Sequence, residues 1–129
     1  MKTRFYLIAP LLLLFCLASC EKNSQRQMLL TLANAKQVST ACMLYGHDHG
    51  GKFPPSLEAL FSSGTLSAED RGLIYTDPND PQSSKWVYIP NLPLNSPAQT
   101  VLLYSKEPIG GKYAVAYTSG STILSLEQP

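Results

Sequence analysis

Apolar and polar positions divide the chain into three stretches of different period. Phe5 to Ala18 is an almost unbroken apolar run of 14 residues, interrupted only by Pro10 and closed by Ser19, Cys20 and the polar trio Glu21, Lys22 and Asn23. Next, Met28, Leu32, Ala35, Val38, Cys42 and Tyr45 recur at helical spacing, with Asn34, Lys36, Gln37 and Thr40 largely on the other side. Ser24 and Gln27 form an S-x-x-Q capping box just before this stripe, and Gly46 stands where a left-handed glycine would stop it. The pattern predicts an amphipathic helix over 25–45, roughly 31 Å long. "GHDHGGKFPP" (46–55) reads as a loop, followed by a short helix from Leu57 to Ser62, capped by Ser56 and closed by Gly64. Ser67-Ala68-Glu69-Asp70 reads as the start of another single turn.

Beyond Leu73-Ile74-Tyr75 the period shortens. Strands are predicted at Trp86–Ile89, Thr100–Tyr104, Lys112–Thr118 and Ser121–Leu126, with 76–85 and 91–97 as loops. A two-residue turn at Ser119-Gly120 would set Tyr117 opposite Thr122, Val115 opposite Leu124 and Tyr113 opposite Leu126. That face would pack on the long helix, with Val115, Leu124 and Leu126 in the core. Ala114, Ala116, Ile123 and Ser125 would then face solvent. The fold class expected is α+β, a long N-terminal helix packed on a small, mostly antiparallel sheet.

Composition adds boundaries. The chain has 129 residues, 44% apolar and 15% charged, with a formal net charge of +1. One domain is expected at this length. No basic surface suited to phosphate is evident, so nucleic acid is not an expected partner. Nine of the ten prolines follow residue 53, in keeping with a loop-rich, partly β second half.

Lys2 and Arg4, the apolar run, and small Ala18 and Ser19 follow the three-part plan of a secretory signal. The run is short of the roughly 20 residues of a membrane-spanning helix. An uncleaved N-terminal anchor is the alternative. Leu17-Ala18-Ser19-Cys20 resembles a bacterial lipobox. The resemblance implies a signal peptide over 1–19, cleavage between Ser19 and Cys20, and acyl chains on Cys20. It further implies a lipidated tether over 20–24, a body over 25–129, and attachment to a membrane of the cell envelope. Two or more acyl chains hold a protein stably at a bilayer. Cys16 would leave with the signal and Cys20 would be acylated, so Cys42 would have no disulfide partner within the chain.

Residues 33–60, "ANAKQVSTACMLYGHDHGGKFPPSLEAL", resemble the globular part of type II secretion pseudopilins and related prepilin-like proteins. The landmarks are Asn34, Lys36, Gln37, Val38, Ala41 and Tyr45, then Gly51, Lys52, Phe53, Pro54, Ser56, Leu57 and Leu60. That family often carries a His, nine residues and Asp-Gly in its final hairpin. Here Ile109 takes the place of the His and Ser119 that of the Asp, while Gly120 and the spacing are kept. The resemblance spans about residues 27–126. It implies a non-enzymatic, pilin-like body and partners among secretion or pilus-type proteins. The family's Gly-Phe-Thr-Leu…Glu cleavage signature is absent, and the apolar helix stands before Cys20.

Candidate chemistry is sparse. His47-Asp48-His49, with Cys42 about one turn upstream, is the most ligand-like cluster for a metal; the alternative is a solvated loop, with Cys42 a small core residue. Asp77-Pro78-Asn79-Asp80-Pro81 offers oxygen ligands for calcium, or simply a turn built of Asp, Asn and Pro. No glycine elbow frames any serine, and Gly110-Gly111-Lys112 lacks the spacing and following helix of a phosphate loop. No cofactor and no enzymatic activity are expected. The alternatives to a secretion-linked role are a metal- or small-molecule-binding envelope lipoprotein and a true pseudopilus subunit with an atypical leader.

Overall fold

The computed structural model describes the backbone of residues 8–129 and the side chains of residues 21–129. Residues 1–7 and the side chains of 8–20, on which the expected leader and Cys20 fall, lie outside that description.

Helix α1 runs from Ile8 to Asp48, roughly 60 Å at 1.5 Å per residue. It is longer at both ends than the expected 25–45. Residues 20–24, expected as a tether, belong to it. Ser24 and Gln27 lie in its interior rather than at a capped start, and the Gln27 carbonyl accepts a 2.8 Å bond from the Thr31 hydroxyl. The reason is local. No glycine or proline interrupts residues 11–45, and Glu, Lys, Gln and Arg are good helix formers.

Gly46 is not the left-handed terminator. It is buried in the last turn, where a Cβ would stand 2.7 Å from Leu94 Cδ2 and 3.0 Å from the Lys52 carbonyl. Its glycine serves close approach, because the 51–54 and 92–94 segments cross the helix end there. Phe53 N–H donates to the Leu92 carbonyl (2.8 Å) and Leu94 N–H to Gly51 (2.9 Å). The left-handed turn falls to Gly50 and Gly51, both at φ 81°, and Gly51 N–H returns to the Gly46 carbonyl.

Short helix α2 spans Ala59–Ser62. It starts two residues later than the expected Leu57, with Glu58 at its N-cap; Ser56 Oγ still accepts from Ala59 N–H at 3.3 Å, and Gly64 closes the turn at φ 77°. A 3₁₀ turn follows at Ala68–Leu73, where the Asp70 carboxylate accepts from both the N–H and the hydroxyl of Ser67.

The sheet has four antiparallel strands in sequence order: β1 (Trp86–Tyr88), β2 (Val101–Ser105), β3 (Tyr113–Tyr117) and β4 (Thr122–Ser125). With α1 packed on it, the fold is α+β. Gly110 and Gly111, both at positive φ, form the tight turn between β2 and β3, closed by paired bonds between Ile109 and Lys112. This turn rests on α1, where a Cβ on Gly110 would meet Met28 Sδ at 3.2 Å and Ser24 Cβ at 3.8 Å.

The last hairpin is one residue out of the expected register. Tyr113 pairs with Ser125, Ala114 with Leu124, Val115 with Ile123 and Ala116 with Thr122. The loop has three residues, Thr118 to Gly120. Tyr117 N–H donates to the Ser121 carbonyl, Gly120 N–H donates to Tyr117, and Gly120 sits at φ 84°. Such a loop is a type I turn with a left-handed glycine bulge. Its cause lies outside the hairpin. Thr118 N–H donates to the Thr100 carbonyl (2.9 Å) and its hydroxyl to Pro97 (2.9 Å), which takes Thr118 out of the β4 ladder.

A one-residue slip exchanges the two faces of a strand. Ala114 and Ala116 therefore join the core beneath α1, and Leu124 packs beside them. Val115 is buried but stands on the far face, opposite Tyr104 and Ile123. Leu126, expected in the core, is 76% exposed. The core itself combines Ala35, Val38, Ala41 and Cys42 of α1 with Phe53, Leu57, Leu60, Ile74, Trp86, Leu102 and Leu103.

Candidate functional site

The three loop residues expected at 47–49 lie at the end of α1. His47 and Asp48 complete the helix and, like His49, are exposed. His49 turns back onto the helix, where its ring stacks on Tyr45 at 4.0 Å with a 6° tilt and its Nδ1 bonds the Tyr45 carbonyl at 2.8 Å. Cys42 does not join them. It is buried in the core, and loss of hydration pushes its thiol up to about 12, so the sulfur stays protonated. Among the described residues, no group of three or more His, Cys, Asp or Glu side chains is placed to hold a metal ion.

In the 77–81 loop one oxygen of each aspartate bonds the chain itself. Asp77 Oδ1 accepts from Asn79 N–H (3.0 Å) and Asp80 Oδ1 from Gln82 N–H (2.9 Å), each a self-closed Asx turn. Ser83 Oγ bridges the loop, sharing its one proton between the carbonyls of Asp77 and Asp80 and accepting from Asp77 N–H.

One polar cluster was not legible in the sequence. Arg71 grips the Glu58 carboxylate with both terminal nitrogens, at 2.9 and 3.2 Å, while its Nε donates to the Pro78 carbonyl. Tyr75 Oη donates to the same carboxylate at 2.5 Å, and the guanidinium lies 4.7 Å from the Phe61 ring centre. The partners are 13 and 17 residues apart, beyond any helical or strand spacing. Bonds from Arg71, then Tyr75, hold the Glu58 carboxyl below its ordinary 4.5. Desolvation, then the bond to Glu58, pushes the Tyr75 phenol up to about 12. The arrangement is a clamp tying α2 to the 3₁₀ turn and the 77–81 loop.

The clamp has a signed pH consequence. Glu58 has a lowered folded pKa, so its stabilisation is present above pH 4.5 and fades as pH falls through the lower folded value. Glu58→Gln is expected to reduce stability at neutral pH and to flatten the acid limb of a stability–pH curve. An unchanged acid limb would remove the clamp's role. The effect is small beside core truncation, because the Glu58 side chain is 46% exposed and solvent screens it.

Among the described residues, a cleft of about 450 Å³ lies between α1 and the sheet edge. Thr31 and Asn34 of α1, the 82–86 segment and Ser105 to Glu107 line most of it. Trp86 and Ile109 stand in its walls beside hydroxyls, amides, Lys85, Lys106 and Glu107, and the exposed lining is more apolar than polar. Lys85 Nζ is already bound to the Gly72 carbonyl. None of Cys42, His47, Asp48 or His49 lines it.

Among the described residues, no helix is long and apolar enough to cross a membrane. Cys20 lies within α1, eight residues before Met28, where α1 meets the Gly110 turn. No protein-family model, no curated protein and no solved structure matches the chain.

Proposed function

We propose that this is a lipid-anchored protein of the bacterial cell envelope, held to the membrane through acyl chains on Cys20. It presents a non-enzymatic α+β body to secretion or pilus-type machinery. The observation that carries this reading is Leu17-Ala18-Ser19-Cys20 placed directly after a basic start and a 14-residue apolar run. The body is consistent with a docking role. Its polar clusters close on themselves: Arg71 on Glu58, His49 on Tyr45, and the 77–81 loop on its own backbone.

The test is metabolic labelling with an alkyne fatty acid in a bacterial host. The wild-type chain is expected to take up label, and Cys20→Ser is expected to lose all of it and to accumulate as the uncut precursor. Label retained by Cys20→Ser would overturn the anchor.

A second reading has one observation in its favour. The backbone of α1 continues without a break from Ile8 into the body, so the apolar segment and the body share one helix. A pseudopilus subunit would retain such a helix. Co-purification of the uncut chain with filaments would favour that reading over the lipid anchor.

A further inference from the structure

The side of α1 turned away from the sheet has a composition of its own near Cys20. Lys22, Arg26, Leu29, Leu30 and Ala33 each stand three or four residues from another of the set, so they share one helix face. All five are exposed, Leu29 at 65% and Leu30 at 55%. The core contacts of α1 come from the opposite side, through Ala35, Val38 and Cys42. This exposed face holds two cations and no carboxylate, and among the described residues neither cation is in an ion pair. Leu29 lies nine residues from Cys20, roughly 14 Å along the axis.

We propose that this face rests on an anionic phospholipid surface, with Leu29 and Leu30 entering the headgroup boundary and Lys22 and Arg26 pairing with lipid phosphates. The assignment rests on the anchor at Cys20. Two exposed leucines flanked by cations match a surface that is apolar beneath and negative above. A protein partner of the same helix face would be expected to offer carboxylates to Lys22 and Arg26. An anionic bilayer offers that charge where an acylated Cys20 would already hold the helix.

The test uses the full chain, processed in a bacterial host and reconstituted in phosphatidylcholine–phosphatidylglycerol vesicles. Leu30→Cys and, as a control in the exposed 77–81 loop, Asn79→Cys are reacted with a membrane-impermeant maleimide. Buried Cys42 does not compete. Leu30→Cys is expected to react several-fold more slowly in vesicles than in detergent, and Asn79→Cys equally in both. Adding Lys22→Ala and Arg26→Ala, or replacing phosphatidylglycerol by phosphatidylcholine, is expected to restore reactivity at position 30. Equal reactivity of Leu30→Cys in vesicles and detergent would overturn the proposal. Protection that persists in detergent and rises with protein concentration would also overturn it, assigning the face to a second copy. Fatty-acid labelling on the same samples separates the two failures. With label present and position 30 reactive, the anchor stands and the face assignment falls. With label absent, the anchor falls and takes the face assignment with it.

Discussion

Phe53→Ala is expected to lower the stability of the fold by about 3–5 kcal/mol. The phenyl ring is 1% exposed in the core with Leu57, Leu60 and the buried face of α1. Its backbone also holds the crossing that closes the end of α1, through Phe53 N–H to Leu92 and the bridge between Lys52 and Pro93. Removing the ring leaves a void in the core. Gly46 already lies against Leu94 and the Lys52 carbonyl with no room for a methyl group. Domains of this size are stable by only about 5–15 kcal/mol, so the loss is a large share of the total. Urea unfolding should show a lower midpoint with an unchanged slope. A loss of less than about 1 kcal/mol, the size of an ordinary substitution, would mean that the ring is not packed as described.

The paired variants Ala116→Leu and Leu126→Ser test the register of the last hairpin. Ala116 is fully buried against α1, so three added heavy atoms have no space, and a cost of about 1–3 kcal/mol is expected. Leu126 is 76% exposed, and its replacement by serine should change stability by no more than about 0.5 kcal/mol. A two-residue turn at Ser119-Gly120 predicts the reverse order, a tolerated leucine at 116 and a damaging serine at 126. Thermal melts of the two variants side by side therefore distinguish the registers without further structural work.

This hairpin shows where the sequence stops being readable. The strands themselves are legible within a residue or two, because Val, Ile, Tyr and Thr cluster between turn residues. The buried face of α1 is legible as well: Ala35, Val38 and Cys42 fall where the stripe places them, and Leu32 and Tyr45 pack beside them. The register is not legible, because it depends on Thr118 bonding to Thr100 and Pro97, 18 and 21 residues earlier in the chain. The Glu58–Arg71–Tyr75 clamp is hidden for the same reason. Local signals do anticipate the 77–81 turns, whose Asp and Asn residues bond their own backbone. The stacking of His49 on Tyr45 follows the i, i+4 spacing of the two rings and could have been read from it. In the Gly51-to-Leu60 segment, Phe53, Pro54, Leu57 and Leu60 are all buried. These landmarks therefore specify packing rather than a reactive site.

The glycine turn that touches α1 at Ser24 and Met28 would set how far the body could stand from the attachment proposed at Cys20. Only four residue steps separate Cys20 from Ser24, roughly 6 Å of helix. Even if fully extended, they would reach no more than about 14 Å. A chain tethered at Cys20 therefore has almost no leash. With the anchor proposed at Cys20, its body would stay within touching distance of the bilayer, and a partner would have to come to the membrane to meet it.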